Sequence, residues 1–506
     1  MKRNQLKAGV VISMLDLLLG NLIPFIYTPI MLRILGQAEY GLYGIAQSVM
    51  GYLRLLNFGI GGAIVRYIAK YRAEGDTEKE EAVIGLFIKL YSFIATMIFI
   101  TGMTVSFHMS VFSRSMSSEE IHKLAVLVRL MTVNMSIFMP FSVFSAITVA
   151  HERFIFSRLI SVGCTVVVPV INILMLFAGR GSVGLVVTST IVNFCAHSLY
   201  LAYSIKVLKI RPRFGYKLPG LVQEIIGFSF YVFVASIVDT LYWATDKLII
   251  GWAIGTVATA VYNVGATFNS YVTSLSTAVS GVLSPKLTAM AVKGASGEEF
   301  TEIFVKIGRL QFIIISFIVS AFIGFGRQFI ALWAGENYGA AYYVALLVMI
   351  PVTVPLIQNT GINILYAMNK HKFRALVYLA IAILNIGMTF WWVEIYGIIG
   401  AAMATCIAYI LGNIIIMNLY YWRKIGINIP LFWLTILKMS PTMLVMTLLG
   451  YYSVEKLFTN SWSSFLMLAV GYTVVYALLS YIFMMNTYER NLIMDPLKRI
   501  VGKMKP

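Results

Sequence analysis

The chain has 506 residues, of which 59% are hydrophobic and 12% charged, with a net charge of +18 and a mean hydropathy of +0.84. Soluble domains carry roughly 25% charged residues, so the composition excludes a soluble enzyme or binding module and points to an all-α integral membrane protein. The excess of Lys and Arg is scattered between apolar runs, which reads as membrane topology and excludes a nucleic-acid partner.

At about 1.5 Å per residue, a run of about twenty apolar residues crosses a hydrocarbon core of about 30 Å. Fourteen such runs are predicted: 8–32, 41–65, 83–107, 124–149, 159–178, 183–205, 225–253, 257–284, 308–333, 341–366, 375–395, 398–420, 431–451 and 463–485. The first is too long for a signal-peptide core and has no small-residue cleavage site after it, so it reads as a retained helix with nothing removed. If the amino terminus is cytoplasmic, most of the 39 Lys and Arg fall on the inner side, including Lys206, Lys209, Arg211, Arg213 and Lys217. The outer segments keep only Arg33, Arg114, Lys123, Arg180 and Lys456, so both termini are expected in the cytoplasm. The tail from 486, with Lys498, Arg499, Lys503 and Lys505, is expected either to rest on anionic headgroups or to be solvated.

The first run carries Asp16 near its middle, and the second carries Arg54 as its single charge. Arg54 is far from both ends of its run, roughly 16–20 Å along a helix axis, too far to snorkel easily. Helical spacing gives it one face with Gln47, Met50, Gly51, Asn57, Phe58 and Gly61, a polar and small-residue stripe suited to a cavity wall. An ionisable group at that depth is costly in lipid, and a guanidinium suits a pyrophosphate. Substrate contact is the favoured role; a structural salt bridge or a helix-packing site is the alternative. Lys89 in the third run, with Gly85, Ser92 and Thr96, and Arg129 in the fourth, with Ala125, Thr132 and Ser136, read either as cavity lining or as interfacial anchors. The seventh run has the opposite sign: Asp239 lies at its midpoint and Asp246 seven residues on, nearly on one face, with Lys247 beside it. These acids are candidates for coupling or gating, by pairing with first-lobe cations or by binding a proton or sodium ion. A fixed pair of Asp246 with Lys247 is the simpler alternative.

No catalytic or metal motif is visible. Cys164, Cys195 and Cys406 lie singly in three runs, the adjacent Glu119 and Glu120 diverge on a helix, and no Gly-rich phosphate loop occurs. A sliding offset of 219 residues pairs Gly36 with Gly255, Tyr43 with Tyr262, Gly75 with Gly294 and Glu80 with Glu299. "NILMLF" from Asn172 likewise mirrors "NIGMTF" from Asn385. These matches predict two pseudo-symmetric six-helix lobes, 1–215 and 216–424, followed by two additional helices over 425–485 and a basic tail over 486–506. Lobes of six helices keep one orientation and leave a central cavity able to open to either side.

The six-plus-six-plus-two order, "PIMLRILGQAEYGLYGIAQ" at 29–47, "TDKLIIGWAIGTVATAVYNVG" at 245–265 and "LSPKL" at 283–287 resemble bacterial polysaccharide transporters. These are lipid-linked oligosaccharide flippases of the superfamily that also holds multidrug antiporters and the lipid II flippase. The resemblance covers nearly the whole chain and implies export of an undecaprenyl-pyrophosphate-linked sugar chain across the bacterial cytoplasmic membrane. It implies as partners a lipid-linked sugar, the bilayer, a polysaccharide polymerase and glycosyltransferases, with no cofactor beyond a coupling ion. "YLRLLNFGIGGAIVRYIAKY" at 52–71 is similar to the arginine-bearing second helix of lipid II flippases, with Arg54 at the cavity position. The eighth run, "YNVGATFNSYVTSLSTAVSG", has no charge where those flippases carry arginine, and the first offers Asp16 instead. A broader sugar-lipid flippase is therefore the expected function. A cation-coupled antiporter, drawing on Asp16, Asp239, Asp246, Tyr242 and Trp243, and a lipid II flippase are the alternatives. A membrane-embedded polymerase would need a large outer loop, which is missing.

Overall fold

The computed structural model describes residues 2–215, 219–281, 284–492 and 494–495, and among them every regular element is helical. Lys217, Lys498, Arg499, Lys503 and Lys505 lie outside the described residues. The helices are α1 (Lys2–Arg54), α2 (Gly61–Glu74), α3 (Thr77–Phe107), α4 (Ser118–Phe138), α5 (Ser142–Ala150), α6 (Phe154–Phe177), α7 (Gly181–Lys206), α8 (Leu221–Ala253) and α9 (Thr256–Gly281). They continue as α10 (Ser284–Val292), α11 (Gly297–Trp333), α12 (Ala341–Ile357), α13 (Asn359–Ala367), α14 (His371–Tyr396), α15 (Ile398–Tyr409), α16 (Met417–Tyr420), α17 (Ile429–Leu457) and α18 (Trp462–Leu479).

Eleven described helices are long and apolar enough to cross a membrane, and twelve if the bent pair α12 and α13 counts as one span. Two expected spans are not separate members of that set, for different reasons. Run 8–32 and the first part of run 41–65 share one helix, α1, whose internal irregularity is at Gly36, with φ +75°. In α9 the polar residues Asn263, Asn269, Ser270, Thr273, Ser274 and Thr277 dilute the apolar character of an otherwise span-length helix. The large exposed side chains, such as Leu18, Phe93, Leu444, Met467 and Phe483, form an apolar exterior suited to lipid, where backbone polar groups must be satisfied within each helix.

Packing divides the chain into two compact units, residues 1–263 with 390–398, and 264–389 with 399–506. In the first unit α1 packs on α6 and α8, α3 on α4, and α6 on α7. One core gathers Leu42, Ile45, Leu124, Leu127 and Val128, and another Ile64, Ile68, Ile84, Phe87 and Ile147. Helix starts are fixed locally. Asp76 accepts from the Lys79 amide at 2.9 Å to begin α3, and Ser117 with Glu120 forms a capping box for α4. Two of the cations expected on the outer side are held by acids, Lys123 by Glu39 at 2.9 Å and Arg114 by Glu394 at 2.8 Å.

In the second unit α11 is the central helix, packed on α12 and α17 around Phe300, Phe304 and Phe432. A capping box of Ser296 and Glu299 starts it. Gly324 lets α11 approach the backbone of Gly450 on α17, where an added Cβ would lie 3.0 Å away. After α18 the chain widens into a π turn over Ser480–Met484, which releases carbonyls from the regular ladder. Arg309 of α11 donates to the Met484 carbonyl at 2.8 Å and to both carboxylate oxygens of buried Glu489 at 2.7 Å.

Candidate functional site

The helix carrying Arg54 stops at that residue. Leu55–Asn57 form a single tight turn, Phe58 and Gly59 take φ +49° and +70°, and helix resumes at Gly61. Glycine is needed at 59 both for its left-handed backbone and for space, since a Cβ there would lie 2.8 Å from Phe233 N and Ser229 O of α8. Two faces result. Gly51 lies against Ala244, and the Tyr52 hydroxyl bonds that of Thr245, so this face is committed to α8. The other face carries Tyr43, Gln47, Met50 and Arg54 into a cavity of about 460 Å³.

The same cavity is lined by α4 through Met131, Asn134, Met135 and Phe138, and by α7 through Val186, Ser189 and Asn193. Met139, Ser142 and Val168 complete the wall. Three of its helices depart from regularity beside it. Pro140, which has no N–H to continue the helical ladder, stands between α4 and α5, Pro169 lies inside α6, and α1 ends at Arg54. Discontinuous helices are a common way to place polar backbone and ligand groups at membrane depth.

Arg54 is exposed to this space, and among the described residues it makes no hydrogen bond and no ion pair. Its placement as the last residue of α1 sets the guanidinium near the negative end of the helix dipole, which offsets part of the cost of the charge. The Gln47 amide donates to the Tyr43 hydroxyl at 2.9 Å, leaving its own carbonyl available. On the facing helices Asn193 donates to Asn134 Oδ1 at 3.3 Å, and Asn134 donates to Thr190 at 2.6 Å. The cavity therefore offers one unpaired cation, several amide and hydroxyl groups, and a wall of thioethers.

Of the residues singled out in the sequence, Arg54, Gln47 and Met50 are brought together at the cavity and the other candidates lie elsewhere. Asn57 falls in the turn after Arg54, because the helical period that would align it ends there. Lys89 donates to the Phe214 carbonyl and lies 5.9 Å from that ring, tying the segment after α7 to α3. Arg129 donates to Ser106 at 3.1 Å, with its guanidinium 4.8 Å from the Phe107 ring. Asp16 accepts from Ser161 at 2.8 Å, with Arg158 3.5 Å away, and so joins α1 to α6. Asp239 is exposed on α8, whereas Asp246 is 2% exposed and accepts from the Tyr262 hydroxyl of α9, a neutral donor. Lys247 is half-buried beside it. Tyr43, Asn134, Ser189, Asn193 and the three methionines of the α4 region, Met131, Met135 and Met139, were not anticipated. Their signal was the recurrence of Met131, Met135 and Met139 every four residues, with Asn134 and Phe138 alongside.

The fold resembles those of two solved transport proteins. The structure of the lipid II flippase MurJ in an inward closed conformation is similar, with a TM-score of 0.71 at 15% identity, over 96% of this chain and 99% of that one. An inward-facing multidrug resistance MATE transporter gives a TM-score of 0.63 at 15% identity, over 83% and 98% of the two chains. In sequence, the chain is 21% identical over 398 residues to a Shigella flexneri protein named "Putative O-antigen transporter", covering 77% of this chain and 91% of that protein. The chain belongs to the polysaccharide biosynthesis protein family, whose model matches residues 6–291. It is a multi-pass membrane protein of that transporter family.

Proposed function

We propose that the protein translocates an undecaprenyl-pyrophosphate-linked oligosaccharide repeat unit across the bacterial cytoplasmic membrane by alternating access, supplying cell-surface polysaccharide synthesis. The observation that carries this reading is Arg54, a cation lining a cavity with no ion pair among the described residues. A pyrophosphate supplies the missing charge, and a guanidinium can bond it through two parallel N–H groups. Cation, amides and hydroxyls in one space suit an anionic, hydroxyl-rich headgroup better than a cationic drug. No covalent chemistry is required of the chain, so it acts as a carrier.

Counting α1 as two spans, and α2, α5, α10, α13 and α16 as continuations of the spans before them, gives fourteen crossings. An even number with the Lys and Arg bias supports cytoplasmic termini. Positive φ at both Gly36 (+75°) and Gly255 (+119°), and at both Gly75 (+75°) and Gly294 (+73°), supports the internal repeat, since each pair marks a turn at the same offset. A polymerase and glycosyltransferases are the natural partners, as they consume and supply such a substrate.

In cells lacking the gene, a pyrophosphate-linked oligosaccharide should accumulate on the cytoplasmic face. The native protein should release it, and Arg54→Ala at equal expression should not. Intact surface polysaccharide without accumulation would overturn the reading. A cation-coupled antiporter is the second reading, supported by the exposure of Asp239 and by the MATE-like fold. It predicts drug hypersensitivity in the same deletion strain. A lipid II flippase, the remaining alternative, predicts accumulation of lipid II there instead. If Asp239 couples transport to protons or sodium, Asp239→Asn should flatten the dependence of export on pH or sodium; unchanged dependence removes it from that role.

A further inference from the structure

Resting on the reading of the Arg54 cavity as a sugar-lipid site, we propose that this cavity selects a sugar bearing an acetamido group, read by Asn193 and the methionine wall. The hydrogen bonds in the cavity have a direction. Asn193 donates to Asn134, Asn134 donates to Thr190, and Thr190 donates to the Val186 carbonyl at 2.9 Å. The chain of donors thus starts at Asn193, whose Oδ1 accepts no hydrogen bond among the described residues and whose second N–H is also uncommitted. An amide with both an acceptor and a donor free is complementary to another amide, which presents an N–H and a carbonyl on one planar group.

The apolar part of the wall narrows the class further. Met131, Met135 and Met139 follow one another along α4 and its end, and Met50 faces them from α1. A bare hydroxyl placed against four thioethers would lose water without gaining a partner, which is unfavourable. An acetamido group brings a methyl that thioethers accommodate well, together with the amide that Asn193 can bond. At about 460 Å³ the cavity lies within the range of pockets that enclose a small ligand, roughly 300–1,000 Å³, and is too small for a long oligosaccharide. Arg54 in the same wall would hold the anionic end. Arg54 therefore sets affinity for any diphosphate, while Asn193 sets the preference among sugars.

The test uses the purified full-length protein and two probes, farnesyl-diphosphate-linked N-acetylglucosamine and farnesyl-diphosphate-linked glucose. They differ only in acetamido against hydroxyl. The native protein should bind the acetamido probe about tenfold more tightly, Asn193→Leu should bring the ratio close to one, and Arg54→Ala should weaken both probes by the same factor. If the native protein binds both equally and Arg54→Ala weakens both, the acetamido inference is overturned while the flippase reading survives. Failure of the native protein to bind either probe, with no effect of Arg54→Ala, overturns both. The native ratio needs no variant, so misfolding of Asn193→Leu leaves the test intact, and Met135→Ala, expected to reduce the ratio partway, supplies a second variant.

Discussion

Arg54 and Arg309 are both arginines in apolar helices, and the protein treats them in opposite ways. Arg309 is 13% exposed and grips Glu489, itself 2% exposed, through two bonds of 2.7 Å and the Met484 carbonyl through a third. Glu489 in turn accepts from the Asn486 backbone amide at 2.8 Å, so both carboxylate oxygens and two of the three guanidinium nitrogens are engaged. Arg54 lines a cavity with no such acid among the described residues. A buried charge kept for structure is saturated by its own chain, whereas one kept for a ligand is left open. The contrast separates stability from transport.

The largest effect should come from breaking the saturated pair. Glu489→Ala leaves a guanidinium buried without its counter-charge and should cost about 3–5 kcal/mol, read as a lowered melting temperature or loss of monodisperse protein. The double replacement Arg309→Met with Glu489→Leu should recover most of that loss; if it does not, the pair has a role beyond mutual neutralisation. Next is Arg54→Ala, expected to weaken binding of a pyrophosphate-linked sugar by about 1.5–3 kcal/mol, or roughly ten- to hundredfold, with an unchanged melting temperature. A melting shift as large as that of Glu489→Ala would place Arg54 with the structural arginines. Gly59→Ala should cost about 1–3 kcal/mol from its left-handed backbone alone. It should also disturb the end of α1, so transport should fall with stability. The smallest change is expected for Arg114→Ala, whose partner Glu394 is half exposed at the surface; up to about 1 kcal/mol should be lost.

How much of this was legible depends on the kind of signal. The helical runs and Arg54 stood out because charge is conspicuous among apolar residues. The end of α1 was hidden, since "NFGIGG" at 57–62 lies within an apolar run and its turn depends on Phe58 taking a left-handed backbone. That turn removed Asn57 from the stripe containing Gln47 and Arg54. Lys89 and Arg129 could not be assigned because a basic residue near a span end looks the same whether it lines a cavity or, as with Lys89, ties down a loop carbonyl. Asn134 and Asn193 were overlooked because one amide in an apolar helix usually completes a local hydrogen bond. Only the fold brings two from different helices opposite Arg54.

The most direct measurement is translocation of an undecaprenyl-pyrophosphate-linked oligosaccharide by purified protein in liposomes, comparing native, Arg54→Lys and Arg54→Ala. The account predicts transport by the native protein, partial transport by Arg54→Lys, and the protein-free rate for a folded Arg54→Ala. Native-rate transport by Arg54→Ala would contradict it.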